Sequence, residues 1–269
     1  MPDTRPLPLD RMPIAAARAV RGVLTDIDDT LTTCGAITAD AVQALRSLRD
    51  AGVAVIAITG RPMGWSETFA RDWPIDAVVA ENGAVSLMRD GETLRIEYAQ
   101  DRATRESNAL RLRAAAKRVL LEVPGAVLAR DSGGRVTDIA IDHSEFAQLA
   151  QPQIEHVLRV MHDEGMNASV SSIHINGWYG SHDKLSGAMW IVRRLLARDL
   201  AREWQQWVYV GDSTNDQLMF ERFPLSVGVA NLMRFEAQLH KWPVYLTRRE
   251  RGAGFAELAQ HLLEARRAA

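Results

Sequence analysis

The chain has 269 residues, 47% of them apolar and 25% charged, with 32 basic against 34 acidic side chains and a formal net charge of −2. That length is enough for a well-buried core, and the near balance of charge excludes an overall field that would draw in nucleic acid or an anionic membrane. A single cysteine, Cys34, excludes an internal disulfide and points to the reducing cytoplasm, while the lack of any run of 18 apolar residues excludes a transmembrane helix.

Residues 1–18 carry prolines, mixed charge and no sustained apolar run, so they read as a flexible lead-in rather than a secretory signal. RGVLTD (21–26) then predicts a first strand. Ala41, Val42, Leu45 and Leu48 share one face of a predicted helix over 38–51, which Gly52 stops. VAVIAI (53–58) is a second strand broken by TGRP, a helix follows over 63–71, and DAVVAENG (76–83) supplies a third strand. Strands that are apolar throughout and alternate with helices predict a parallel sheet covered on both faces.

The rhythm then changes. Residues 84–88 and 93–98 read as a hairpin around Arg89-Asp90-Gly91. An arginine-rich helix over 102–122 presents a solvated face. Strands near 126–130 and 135–141, a helix over 148–164 and strands near 168–171 and 173–176 follow, so strands pair directly with strands. After Lys184 the first pattern returns: a helix over 184–200, the strand WVYVGD (207–212), a helix over 213–222, strands at 225–230 and 244–247, and a helix over 253–267. The expected organisation is a discontinuous core of residues 19–83 and 183–269, a doubly wound α/β sheet, interrupted by an inserted α+β cap over 84–182.

Ligands of open α/β sheets bind beyond the carboxyl ends of the strands. Those ends read Asp26-Ile27-Asp28, Thr59-Gly60-Arg61 and Gly211-Asp212, with Ser213-Thr214-Asn215-Asp216 opening a helix. If the strands are parallel neighbours, Asp26, Asp28, Asp212 and Asp216 converge. Two carboxylates about 4 Å apart repel by roughly 4 kcal/mol at an effective dielectric near 20. An oxygen-only set of ligands therefore suggests a hard divalent ion, and Mg²⁺ suits phosphate chemistry. Thr59 at a strand end and Lys184 at a helix start are good phosphate ligands, so the constellation reads as a phosphoryl-transfer site.

DIDDT, TGR, DK and GDSTND, in this order, resemble the four motifs of the haloacid dehalogenase superfamily, and the insertion resembles that superfamily's type IIB cap. The resemblance spans residues 22–269 and implies a Rossmann-like core. It also implies that Asp26 is the nucleophile and that Asp28 is the general acid and then the general base. Thr59 and Lys184 hold the phosphoryl group. Mg²⁺ is held by Asp26, the Asp28 main-chain carbonyl and Asp212, while Asn215 and Asp216 orient waters or Lys184.

The implied activity is a cytoplasmic, Mg²⁺-dependent phosphatase acting on a small phosphorylated metabolite, with no nucleic-acid or membrane partner. A sugar phosphate is the expected substrate, because the segment SSIHINGWYGSHDK at the cap's exit sets polar groups beside aromatic faces and is similar to that of mannosyl-3-phosphoglycerate phosphatases. Candidate substrate contacts are Gly60, Arg61, Glu81, Asn82, His174, Asn176, Trp178 and Asn231. Arg61 meets either a substrate anion or a salt bridge within the core, and His174 and Trp178 either face substrate or pack the cap. A sugar phosphomutase shares the first half-reaction. A phospho-accepting receiver module shares the aspartates, threonine and lysine, but it lacks the insertion and the second acid two residues after the first.

Overall fold

The structure, a computed structural model, describes residues 5–268. Nine strands form one large sheet in the order Leu7–Pro8, Tyr245–Leu246, Leu225–Gly228, Trp207–Gly211, Gly22–Thr25, Ala54–Ile58, Ala77–Ala80, Val85–Asp90, Thr93–Tyr98. The first seven are parallel; Val85–Asp90 pairs antiparallel with Ala77–Ala80, and Thr93–Tyr98 pairs antiparallel with Val85–Asp90. The chain leaves the central strand Gly22–Thr25 toward one edge and returns through Trp207–Gly211 on the other side. The sheet's topological switch point therefore lies between these two strands.

Alternation along the central strands explains why both faces are covered. Val23, Val55 and Val208 point into one apolar layer, closed by helices Ala39–Asp50, Met63–Asp72 and Arg251–Arg267. Leu24, Ile56 and Tyr209 point into the other, closed by helices Lys184–Leu196 and Gln217–Arg222. Strands buried on both sides need apolar side chains at every position, as their sequences show.

A second, antiparallel sheet is ordered Asn167–Val170, His174–Trp178, Asp138–Asp142, Val127–Leu128. Its residues split cleanly by face. Ile141 and Ile175 pack beneath helices Arg102–Glu122 and Gln151–Asp163. Asp138, Asp142, His174, Asn176 and Trp178 lie on the opposite face, paired across the strands as Asp142 with His174, Ala140 with Asn176 and Asp138 with Trp178. Period-2 alternation thus turns a polar surface toward the large sheet.

Two parts of the chain differ from expectation. The hairpin Val85–Asp90 and Thr93–Tyr98, expected to open the cap, adds to the edge of the large sheet through Ala77–Ala80. Val85, Leu87 and Met88 are buried there, and that apolar edge of the large sheet is what recruits the hairpin. The inserted layer accordingly starts at Arg102. The N-terminal segment, whose first four residues lie outside the described ones, is not a loose lead-in over its described part. Leu7–Pro8 pairs with Tyr245–Leu246, Leu9 and Met12 are buried, and helix Ile14–Ala19 follows.

The cap is shut over the core. Thr214 Oγ1 donates to the Val170 carbonyl at 2.7 Å, and Arg135 Nη1 and Asn176 Nδ2 both donate to the Gly60 carbonyl, at 2.9 and 3.2 Å. The chain crosses between the layers twice, and the crossings are tied together by Gln100 Nε2 donating to the Tyr179 carbonyl at 2.7 Å.

Candidate active site

Parallel register delivers the acids to one edge. Thr25 stands opposite Ala57 on one side and Val210 on the other. Asp26, Thr59 and Asp212, each at or just beyond a strand end, therefore share the edge at the switch point. Asp216 is reached by a tight turn: its Oδ2 accepts from the Asp212 and Ser213 amides at 2.9 and 3.1 Å. Asp183 caps the helix Lys184–Leu196 by accepting from the Ser186 amide at 2.7 Å, which fixes where Lys184 leaves the helix start.

Lys184 is buried, and its Nζ donates to Asp26 Oδ1 and Asp216 Oδ1, each at 2.7 Å. Tyr209 Oη also donates to Asp216 Oδ1. The carboxylates of Asp26, Asp212 and Asp216 offer ligand atoms within 4.8 Å of one another. Burial, then repulsion from Asp216 and Asp28, pushes Asp26 up to about 7 against the pull of Lys184. Burial, Asp26 and Asp216 push Asp212 well above the ordinary carboxylate range. Burial lowers Lys184, but Asp216 and Asp26 outweigh it and hold the ammonium charged. One lysine thus faces three buried carboxylates. An all-oxygen donor set with surplus negative charge fits a divalent cation, which would relieve the strain.

Asp212 is held by Asn231, whose Nδ2 donates to its Oδ2 at 3.1 Å, and by Thr30 Oγ1 at 3.4 Å from Oδ1. Asn231 Nδ2 also reaches the Asp29 carbonyl at 3.0 Å, and its Oδ1 accepts from the Arg251 amide. The substrate contact expected of Asn231 is therefore replaced by support of the Asp212 carboxylate, because both ends of its amide are taken. Asn215 accepts from Ser213 Oγ at 3.0 Å, and of the two residues expected to orient Lys184 it is Asp216 that hydrogen-bonds it.

The Thr59 hydroxyl oxygen accepts from the Arg61 amide at 3.0 Å, leaving its proton free to donate. Asn82 has φ 53° and is buried, and its Nδ2 has no partner among the described residues. That amide stands beside Gly60, where an added Cβ would come within 3.3 Å of it. Glycine at position 60 also leaves room for Asn176, whose Nδ2 further donates to Asp138 at 3.0 Å.

The substrate contact expected of Glu81 is corrected by its surroundings, and the alternatives open for Trp178 and Arg61 resolve toward protein partners. Glu81 is fully buried, and its carboxylate accepts from the amides of Met63, Val136 and Thr137 and from Thr137 Oγ1. Its lone pairs are spent joining core to cap, so it has none for substrate. Trp178 packs rather than faces substrate: its Nε1 donates to the His182 carbonyl at 2.9 Å and its ring stacks on His182. Arg61 meets protein carboxylates. Its Nε and Nη2 grip Asp28 at 2.9 to 3.1 Å, Nη2 donates to Glu145 at 2.7 Å and Nη1 to Asp131 at 3.2 Å, with the Trp65 ring beneath. His174 reaches the same cluster, with Nε2 at 2.9 Å from Glu145.

Asp131 and Glu145 escape sequence reading because they sit in irregular loops without local signature. Tyr209 carries a signal: a hydroxyl in an otherwise apolar strand needs a buried partner.

The sequence profile of the haloacid dehalogenase-like hydrolases matches residues 23–117. A phosphoglycolate phosphatase from Methanoculleus marisnigri is 26% identical over 215 residues, which cover 79% of this chain and 85% of that protein. Among solved structures, a Thermoplasma acidophilum protein superposes with a TM-score of 0.69 at 17% identity, covering 91% of this chain and 98% of its own. The sucrose-phosphatase of Synechocystis, solved with sucrose and phosphate, gives 0.64 at 17% identity, with 91% and 98% covered. At such identities the structural likeness speaks for the fold alone. The chain is thus similar to the haloacid dehalogenase-like hydrolases over residues 23–117 and to a phosphatase over most of its length.

Proposed function

We propose that the protein is a Mg²⁺-dependent phosphatase that hydrolyses a small phosphorylated metabolite, a sugar phosphate by preference, through an aspartyl-phosphate on Asp26. The observation that carries this reading is the single buried lysine shared between Asp26 and Asp216 beside a third buried carboxylate, Asp212. That edge is built to gather negative charge and to have it neutralised by a cation and a phosphoryl group.

Asp26, the Asp28 main-chain carbonyl and Asp212 would hold the ion, which when bound offsets charge on the phosphoryl oxygens. Asp26 attacks phosphorus while the Thr59 hydroxyl and the Lys184 ammonium hold the transferring oxygens. Asp28 gives its proton to the leaving oxygen. It then takes one from the water that attacks the aspartyl-phosphate, which releases inorganic phosphate and restores the Asp26 carboxylate. Asp216 keeps Lys184 aimed, and Asn231 keeps Asp212 in place. The sugar preference is supported by the cap's polar side, where Glu145 and Asp131 offer carboxylate oxygens to hydroxyls.

Phosphate release from a panel of sugar phosphates, nucleotides and phosphoglycerates tests the reading. Release with Mg²⁺, lost in EDTA and led by a sugar phosphate, is the expected outcome. No release from any compound by folded, Mg²⁺-loaded protein would turn the reading toward a mutase.

Ion binding has its own signature in stability. A carboxylate raised to about 7 in the fold favours the protonated form. The stability it contributes is complete below its ordinary value of 3.8 and is lost as pH climbs through about 7. Mg²⁺ at about 100 times its Kd is expected to raise Tm by roughly 5–10 °C near pH 7.5, and by clearly less at pH 5, where protons compete for the same oxygens. Thermal melts at both pH values check this; an equal rise at pH 5 would contradict it.

A further inference from the structure

Asp28 and Glu145 both accept from one nitrogen, Arg61 Nη2, at 2.9 and 2.7 Å. Their carboxylates therefore cannot lie further apart than those two bonds laid end to end. If Asp28 protonates the leaving oxygen, as the phosphatase reading holds, the leaving group occupies the space that Glu145 faces. Glu145 is aimed there by Asp142, whose carboxylate oxygens accept from the Glu145 and Phe146 amides at 2.9 and 3.0 Å. Its side chain is 20% exposed, against 6% for Arg61 and 10% for Asp131, so it presents the open surface of the cluster.

The charges here are uneven. Arg61 is shared among Asp28, Glu145 and Asp131. Arg135 is bound to Asp131 and Asp138 and to the Gly60 carbonyl. Lys184 is taken by Asp26 and Asp216. Neither arginine is left for a carboxylate on the leaving group, and the third N–H of Lys184 serves the phosphoryl group in the mechanism above. Glu145 stays ionised: burial raises it, but the hydrogen bonds from His174 and Arg61 outweigh burial and bring it to about 2.

We propose that Glu145, with Asp131 and Arg61, is a charge filter on the leaving group that admits an uncharged polyol and rejects one bearing a carboxylate. A hydroxyl can donate, so it can give a hydrogen bond to a Glu145 or Asp131 oxygen without taking any donor from Arg61. A carboxylate only accepts. To be held it must take Arg61 from three protein acids, and it then leaves those acids unpaired beside its own charge. The filter rests on the phosphatase reading and narrows its substrate class.

The test compares kcat/KM for two matched pairs, glucose 6-phosphate against 6-phosphogluconate and glycerol 3-phosphate against 3-phosphoglycerate. Wild type, Glu145→Gln and Asp131→Asn are each measured with Mg²⁺, with p-nitrophenyl phosphate and phosphoglycolate alongside. Wild type is expected to favour the uncharged member of each pair at least tenfold. Glu145→Gln, which keeps the side chain's size and its contact with His174, is expected to shrink that ratio about fivefold, mainly through a lower KM for the acids. Asp131→Asn is expected to act in the same direction and serves if Glu145→Gln fails to fold. Wild-type preference for phosphoglycolate or another acid, or a ratio unmoved by both variants, overturns the filter while turnover of p-nitrophenyl phosphate keeps the phosphatase reading. No turnover of any compound overturns both.

Discussion

Asp26→Asn is expected to remove phosphate release altogether, a loss of at least roughly 10⁴-fold of the size seen when a covalent nucleophile is deleted. The amide cannot attack phosphorus, and no neighbour can replace it. Asp216 is fully engaged by Lys184, Tyr209 and two backbone amides, and Asp212 is held by Asn231 and Thr30. The fold should survive, because Lys184 keeps Asp216 and one of three mutually repelling buried charges is gone. Phosphate release measured beside a thermal melt separates the two effects. Residual activity within tenfold of wild type, at an unchanged Tm, would exclude Asp26 as the nucleophile.

Asp28→Asn is expected to slow turnover by about 10²–10⁴-fold, the usual worth of a positioned acid–base group, and to leave phosphate on Asp26. An asparagine cannot take the proton of the attacking water, so the second half-reaction stalls after a slowed first one. Intact mass after mixing with substrate should show a species heavier by one phosphoryl group, absent in Asp26→Asn. Arg61 keeps Glu145, Asp131 and the Trp65 ring in this variant, so the closed cap is expected to remain. A variant that hydrolyses near the wild-type rate and carries no phosphate would assign the proton transfers to another group. A receiver-type module, which needs no such acid, would also show no change.

Both variants alter residues whose positions are legible in the amino-acid sequence. Asp26, Asp28, Thr59 and Asp212 stand where apolar strands stop, and Lys184 and Asp216 where helices start. Such positions are set by short-range pattern: a β-rich run followed by polar residues, or a capping aspartate before an amphipathic helix. Parallel pairing then brings them to one edge with no further information needed. The doubly wound core and the added antiparallel layer are legible for the same reason.

Other features depend on which surfaces meet. A hairpin has the same local sequence whichever sheet it joins, and Val85–Asp90 with Thr93–Tyr98 joins the large one because an apolar edge is there to receive it. The two-residue strand Leu7–Pro8 is too short to show a period, and it exists through its neighbour Tyr245–Leu246. Side-chain roles at the cap–core seam are decided in the same way. Glu81, Trp178 and Asn231 are polar or aromatic residues near the site, as a substrate contact would be, yet each is consumed by a backbone or side chain elsewhere in the fold. Arg61 could have met either a substrate anion or protein acids, and closure of the cap supplies Asp131 and Glu145. Sequence alone determined which acids and hydroxyl stand at the strand ends, because local pattern fixes where a strand stops. The tertiary structure alone decided which hydrogen-bonding groups remain free for a substrate, because each must first be satisfied by whatever the fold packs against it.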